Sequence, residues 1–218
     1  MKDINQKYKL FGRTRGRSNK NIDIKNYQEL IKNFKINNFN SKKKYILDIG
    51  TGYGETSIYL AKNYPEHKIV ACEKFIDGNL NLLKNIQKEG IKNIYLHNGN
   101  VHEFLDNSEN TLFDMVYIFF PDPWPKKKHH KRRLINVSFL RKIYSRLNAN
   151  KKLFIATDSI SYTRDILGNI YSSKKHFNWV NQENFYLNIK DYLNIETKFY
   201  KKAIFSGRTP NLFILKKI

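Results

Sequence analysis

The chain has 218 residues and a formal net charge of +21, with 40 % hydrophobic and 14 % aromatic residues. That is one domain's worth of length and too much apolar material for a disordered chain, while its longest apolar run, Met115 to Phe120, falls far below the ~18 residues that span a bilayer. A lone Cys72 excludes a disulfide framework and a four-thiolate zinc site, and the polar start shows no signal-peptide pattern, so a cytoplasmic protein away from membranes is expected.

Residues 1–24 are polar, place Arg13, Arg15 and Arg17 around Gly12 and Gly16, and read as a mobile basic arm ahead of a single domain, 25–218. From Tyr27, the spacing of Leu30, Ile31 and Phe34 predicts a short helix. Beyond it, β-rich runs at Tyr45–Ile49, Lys68–Cys72, Asn93–His97, Phe113–Phe119 and Leu153–Ala156 alternate with helical stretches at Thr56–Asn63, Asn79–Lys88, Leu134–Leu147 and Tyr162–Tyr171. Strand and helix in alternation predict an α/β fold, a mostly parallel sheet with helices on both faces. Ile195–Phe205 and Asn211–Leu215, joined by Ser206-Gly207-Arg208-Thr209-Pro210, add an antiparallel C-terminal hairpin and bring the count to seven strands.

The charge follows this organisation. Residues 1–44 carry 13 basic and 3 acidic groups, 45–125 carry 6 and 11, 126–197 carry 15 and 5, and 198–218 carry 6 and none. Lys outnumbers Arg 31 to 9, as an AT-rich codon habit would produce, but a habit spreads evenly. An acidic block between basic flanks suits a small-molecule half joined to a phosphate-binding surface, and a nucleic-acid partner is expected.

The first strand ends in Asp48-Ile49-Gly50-Thr51-Gly52-Tyr53-Gly54-Glu55. Glycines at alternate positions let the backbone turn tightly at the carboxyl edge of a sheet and approach a ligand, although a plain turn would use them too. A dinucleotide fingerprint fails because Glu55 fills its last small-residue slot; Asp48 suits an amine-bearing ligand such as the methionine part of S-adenosylmethionine. Glu73 closes the second strand, where a carboxylate can accept from a ribose diol or stand exposed. Asn100, after the third strand, can bind an adenine edge or make a turn.

The fourth strand runs into Phe119-Phe120-Pro121-Asp122-Pro123-Trp124-Pro125, then Lys126-Lys127-Lys128-His129-His130-Lys131-Arg132-Arg133. The prolines hold Asp122 at the mouth of the sheet beside an indole, and the basic run from Lys126 to Arg133 suits phosphates; an N-cap Asp and a partly buried Trp are the structural alternatives. No second cluster at ligand spacing joins the two histidines, so no metal is expected. Asp158, at the end of the fifth strand, is a site residue or a helix cap.

The Gly50 loop, Glu73 and Asn100 together resemble a class I S-adenosylmethionine-dependent methyltransferase. Pro-Asp-Pro-Trp with the stretch ending Lys-Arg-Arg is similar to the tRNA (guanine-N7-)-methyltransferase family, the match running from about Lys44 to the end and Phe11-Gly12-Arg13 fitting the basic leader of such proteins. The resemblance implies a Rossmann-like fold and transfer of a methyl group from S-adenosylmethionine to N7 of a guanosine in the tRNA variable loop. It places the cofactor at Asp48, Gly50, Gly52, Glu73, Asn100 and Asp122, makes Asp122 the catalytic residue, and assigns tRNA contacts to Lys126, Asp158, Thr197, Lys198, Phe199 and Tyr200. Two positions depart from the family: Asn100 stands where Asp is frequent, and Tyr200 replaces the Glu of T-x-[FY]-E. A Glu accepts from guanine N–H groups whereas Tyr makes one bond or stacks, so a change in base selection or rate is expected. An exocyclic-amine methyltransferase would have a second Pro where Trp124 stands, and intact Asp48, Glu73 and Asp122 argue against a catalytically silent RNA-binding module.

Overall fold

The computed structural model describes residues 8–9, 11–16, 24–36, 38–108, 111–181, 183 and 189–218. Among them, β1 (Lys44–Ile49), β2 (His67–Cys72), β3 (Ile94–His97), β4 (Phe113–Phe119), β5 (Leu147–Thr157), β6 (Phe177–Trp179) and β7 (Asn211–Lys217) form one seven-stranded sheet in the order β3-β2-β1-β4-β5-β7-β6. The first five strands are parallel and β7 is antiparallel to both its neighbours. This is the Rossmann-like architecture of class I methyltransferases.

The parallel strands are buried on both faces, which is why they read as near-continuous apolar runs. Successive residues point to opposite sides: Leu47, Ile49, Val70, Val116 and Ile118 enter one core cluster, and Ile46, Ile69, Ala71, Tyr117 and Phe154 the other. The first cluster is covered by α4 (Val101–Asn107), α5 (Val137–Arg146) and α6 (Ile160–Ser172). The second is covered by α1 (Ile24–Lys32), α2 (Glu55–Asn63), α3 (Ile76–Glu89), α7 (Ile189–Leu193) and α8 (Lys198–Phe205). No helix among the described residues is long and apolar enough to cross a membrane.

One element is of the other kind from that expected. The residue types of Ile195–Phe205 predict a strand, and the greater part of the segment is α8. Thr197 Oγ1 accepts from the Tyr200 N–H at 3.0 Å, an N-cap, and Tyr200 and Ala203, three apart, bury one helical face. The Ser-Gly-Arg turn ends that helix: Gly207 has φ 68°, and its N–H and that of Arg208 return to Ile204 O and Ala203 O, both at 2.9 Å. The antiparallel partners of β7 are β5 on one side and the three-residue β6 on the other.

Strand order reverses between β1 and β4, whose carboxyl ends therefore diverge into helices on opposite faces and leave a crevice outside the sheet edge. Every loop that follows a parallel strand opens onto that edge.

Candidate active site

A cleft of about 850 Å³ lies at this switch point. Its floor is the loop after β1, where Gly50, Gly52 and Gly54 have φ of 73°, 56° and 89°, values an L side chain rarely adopts. Asp48 lies beneath that loop, 1 % exposed, accepting from Ser57 Oγ at 2.6 Å; burial, opposed by this hydrogen bond, pushes its carboxyl up to about 7. Glu73, at the end of β2, accepts three backbone N–H groups, from Gly52 at 2.9 Å, Lys74 at 2.7 Å and Phe75 at 2.9 Å. The bonds hold the glycine loop to the next strand and counter the upward pull of burial on its carboxyl. Asn100 caps α4 by accepting from the His102 N–H at 2.9 Å, so the turn role and the cleft position belong to one residue.

The wall opposite is the loop after β4. Phe120 and Trp124 have φ of 53° and 43°, left-handed values for two bulky residues on either side of Asp122, with prolines between them. Such strain persists only where the surroundings hold it. Phe120 N–H donates to Ala156 O at 2.8 Å, and Arg133 Nε donates to Pro123 O at 2.7 Å. Asp122 is thereby exposed at the mouth of the cleft, and an added Cβ on Gly12 would lie 2.8 Å from its Oδ2 and 3.0 Å from Lys74 Nζ.

That proximity brings in residues expected to belong to a mobile arm. Of these, Tyr8, Lys9, Phe11, Gly12 and Arg13 line the cleft, and the segment is tied down on both sides: Ile76 N–H donates to Thr14 O at 2.9 Å, Gly16 N–H to Asp77 Oδ2 at 2.7 Å, and Tyr8 Oη to Asp106 Oδ2 at 2.8 Å. Phe11 packs edge-on to Trp124, and the Arg132 guanidinium sits 5.1 Å from one ring centroid and 5.0 Å from the other.

The basic stretch divides. Lys127–Arg132 is a 3₁₀ helix entered from Lys126, and Lys126, Lys127, Lys128 and Lys131 are exposed. Arg133 points inward: its side chain is 2 % exposed, donates to Pro123 O, Ser161 O, Ser161 Oγ and Asp165, and lies over the Tyr162 ring. It is a buried tie between the Asp122 loop and α6, which corrects its expected place among phosphate-facing cations.

The remaining expected residues separate in the same way. Phe199 reaches the cleft. Tyr200 turns into the core, 6 % exposed, because the helix puts it with Ala203 on the buried face, ~100° round from Phe199, and it does not line the cleft. Thr197 caps α8; Lys198 lies over the Tyr53 ring at 4.0 Å, on the rim. Asp158 accepts from Arg208 Nε at 2.7 Å and the cap of α6 is Ser159, so neither the cap nor the cleft uses Asp158. Among the described residues no group of three His, Cys, Asp or Glu could hold a metal ion.

Gly78 in α3 belongs to the site although its sequence context does not single it out; the one signal is that a glycine inside a helical pattern costs ~1 kcal/mol against Ala and so points to a packing reason. A Cβ there would lie 2.0 Å from Gly52 O, in the backbone of the glycine loop. Gly78→Ala, which would stabilise an ordinary helix, is expected to destabilise this protein by ~1–3 kcal/mol. Thermal unfolding measures the sign, and an unchanged or raised Tm would mean that the loop yields at no cost.

The Methyltransf_4 model of a methyltransferase family matches residues 42–211. A tRNA (guanine-N(7)-)-methyltransferase of Buchnera aphidicola subsp. Acyrthosiphon pisum is 38 % identical over 205 residues, 89 % of this chain and 84 % of that protein. One of Wolbachia pipientis wMel is 37 % identical over 60 % of this chain, which spans 59 % of that relative's length. In fold alone, the chain is like the structure of NSun6 from Pyrococcus horikoshii with SFG, at a TM-score of 0.59 and 15 % identity, covering 79 % of this chain and 47 % of that one. A match across most of the chain, joined to a relative of this identity and coverage, decides the lineage: the chain belongs to the tRNA (guanine-N(7)-)-methyltransferase family of class I methyltransferases.

Proposed function

We propose that this protein transfers a methyl group from S-adenosylmethionine to N7 of a guanosine in the variable loop of tRNA, in the cytoplasm. The observation that carries this is the convergence of the glycine loop, Glu73 and the Pro-bracketed Asp122 on one cleft whose rim is set with exposed lysines.

The residues present fit the cofactor. No atom lies within 4 Å of the position a Cβ on Gly50 would take, so the loop leaves open space over the floor of the cleft. Ile49, Phe75 and Val101 offer apolar surface to a purine ring, Glu73 Oε2 retains one lone pair for a ribose hydroxyl, and Asp48 lies beneath where an ammonium group would favour its ionised form. S-adenosylmethionine, when bound, supplies an electrophilic methyl group on a sulfonium. Guanine N7 presents an in-plane lone pair without a proton, so the chain needs no general base for attack. Its task is to orient the base and to offset the positive charge that develops on the purine, and Asp122 is the carboxylate placed for that.

Labelled methyl transfer to total tRNA, followed by nucleoside analysis, tests the reading: N7-methylguanosine is expected, and N6-methyladenosine would move it to the exocyclic-amine class. The tRNA grip is tested separately. Replacing Lys126, Lys127, Lys128 and Lys131 together with Gln should make the dependence of log affinity on log salt shallower by about 3, at roughly 0.7–0.9 for each phosphate no longer neutralised. An unchanged slope would leave the run as a solvated face.

A further inference from the structure

Two aromatic rings confront each other beside the Asp122 loop. Phe120, directly after β4, and Phe199, in the first turn of α8, have centroids 6.4 Å apart and planes inclined by 24°. Both line the cleft. That spacing is within the ~4.5–7 Å of an ordinary offset-stacked aromatic pair, so a planar base entering between the rings must part them.

Neither ring is fully buried: Phe120 is half-buried against the second core cluster and Phe199 is exposed. Phe120 has φ 53°, a conformation that bulky residues avoid and that marks functional loops when the surroundings enforce it. Phe199 is 46 % exposed, although the next residue, Tyr200, is buried in the core. Its approach depends on a missing side chain, since a Cβ on Gly52 would lie 3.3 Å from Phe199 Cε2. Only Pro121 separates Phe120 from Asp122 in the chain, so whatever enters between the rings comes within reach of that loop.

We propose that Phe120 and Phe199 form a stacking slot for the target purine of the tRNA, an inference that rests on the methyltransferase reading above. Base–aromatic stacking recognises a flat π-face rather than a donor and acceptor pattern. With Tyr200 turned into the core, nothing at that position reaches the N–H edge of the base. The slot therefore supplies grip and orientation, and Asp122 supplies the charge.

The test uses the full chain, a tRNA transcript and the variants Phe199→Leu and Phe199→Tyr. Phe199→Leu should lower kcat/KM for tRNA about 5- to 100-fold, the loss expected for one base stack, while affinity for the demethylated cofactor, measured by calorimetry, stays unchanged. Phe199→Tyr, which keeps the ring, should restore most of the activity. A tRNA with 2-aminopurine at the target position should be quenched when bound to the wild type and bright when bound to Phe199→Leu. Wild-type kcat/KM and quenching in Phe199→Leu would overturn the slot while leaving the methyltransferase intact. Parallel loss of cofactor affinity would overturn it too, by assigning Phe199 to support of the Gly52 loop. A wild type that makes no N7-methylguanosine would remove the reading beneath the slot and take the slot with it.

Discussion

Asp122→Asn should lower the single-turnover rate of methyl transfer at saturating cofactor about 100-fold or more, the usual consequence of losing a preorganised electrostatic partner in the transition state. The loop that carries Asp122 is fixed without help from its carboxylate. Prolines set its backbone, Phe120 N–H is tied to Ala156 O, and Arg133 holds Pro123 O. An isosteric amide therefore keeps the shape and removes the charge, so Tm should be unchanged and cofactor affinity should change far less than the rate. Lys74 gives a second reading. Burial already pulls its ammonium below the usual range, and Asp122 is the first of two carboxylates that oppose this, so the substitution should move Lys74 further down. A variant that turns over like the wild type would leave the loop as scaffolding.

Arg133→Met should be the costlier change for stability. Arg133 is buried but Asp165 is 41 % exposed, so the cost is that of leaving buried hydrogen-bond acceptors unsatisfied, ~1–3 kcal/mol, and not that of stranding a buried charge. For a domain of this size that is a fall in Tm of roughly 2–12 °C. Met retains much of the volume, so the loss reports the four hydrogen-bond acceptors on Pro123, Ser161 and Asp165 left without their donor. The same variant should leave the salt dependence of tRNA binding unchanged, in contrast to the exposed lysines beside it. An intact Tm with a shallower salt slope would return Arg133 to the phosphate-facing set.

Arg133 also shows where sequence reading stops. The six lysines and arginines of Lys126–Arg133 carry the same charge, and only the phase of a short 3₁₀ helix and the docking of α6 decide which of them faces inward. The parallel strands are legible because burial on both faces leaves continuous apolar runs, and the glycine loop because alternate glycines directly after a strand let the backbone turn tightly and approach a ligand. α8 is hidden for a local reason. Ile195–Phe205 is rich in β-favouring residues, and the Thr197 cap that outweighs them is a single side-chain hydrogen bond. Once the segment is a helix, Tyr200 and Ala203, three apart, share its buried face, and Phe199, ~100° round from Tyr200, is left to face the cleft. Gly12 and Gly78 are close approaches of one chain segment to another far along the sequence, and no local pattern records such a distance.

The position of β7 has a consequence for how the chain is made. Residues 211–217 pair with β5 on one side and β6 on the other, so the strand synthesised last of the seven fills an interior place in the sheet. The parallel half, β1 to β5, is assembled from strand–helix–strand units that can form as they leave the ribosome, N-terminal first. Until residue 217 has emerged, β5 presents an unpaired edge of apolar strand and the short β6 has no neighbour to hold it, the condition in which edge-to-edge association competes with folding. Completion of this sheet is thus a late, long-range event that waits on the emergence of residues 211–217, whatever the stability of the finished domain.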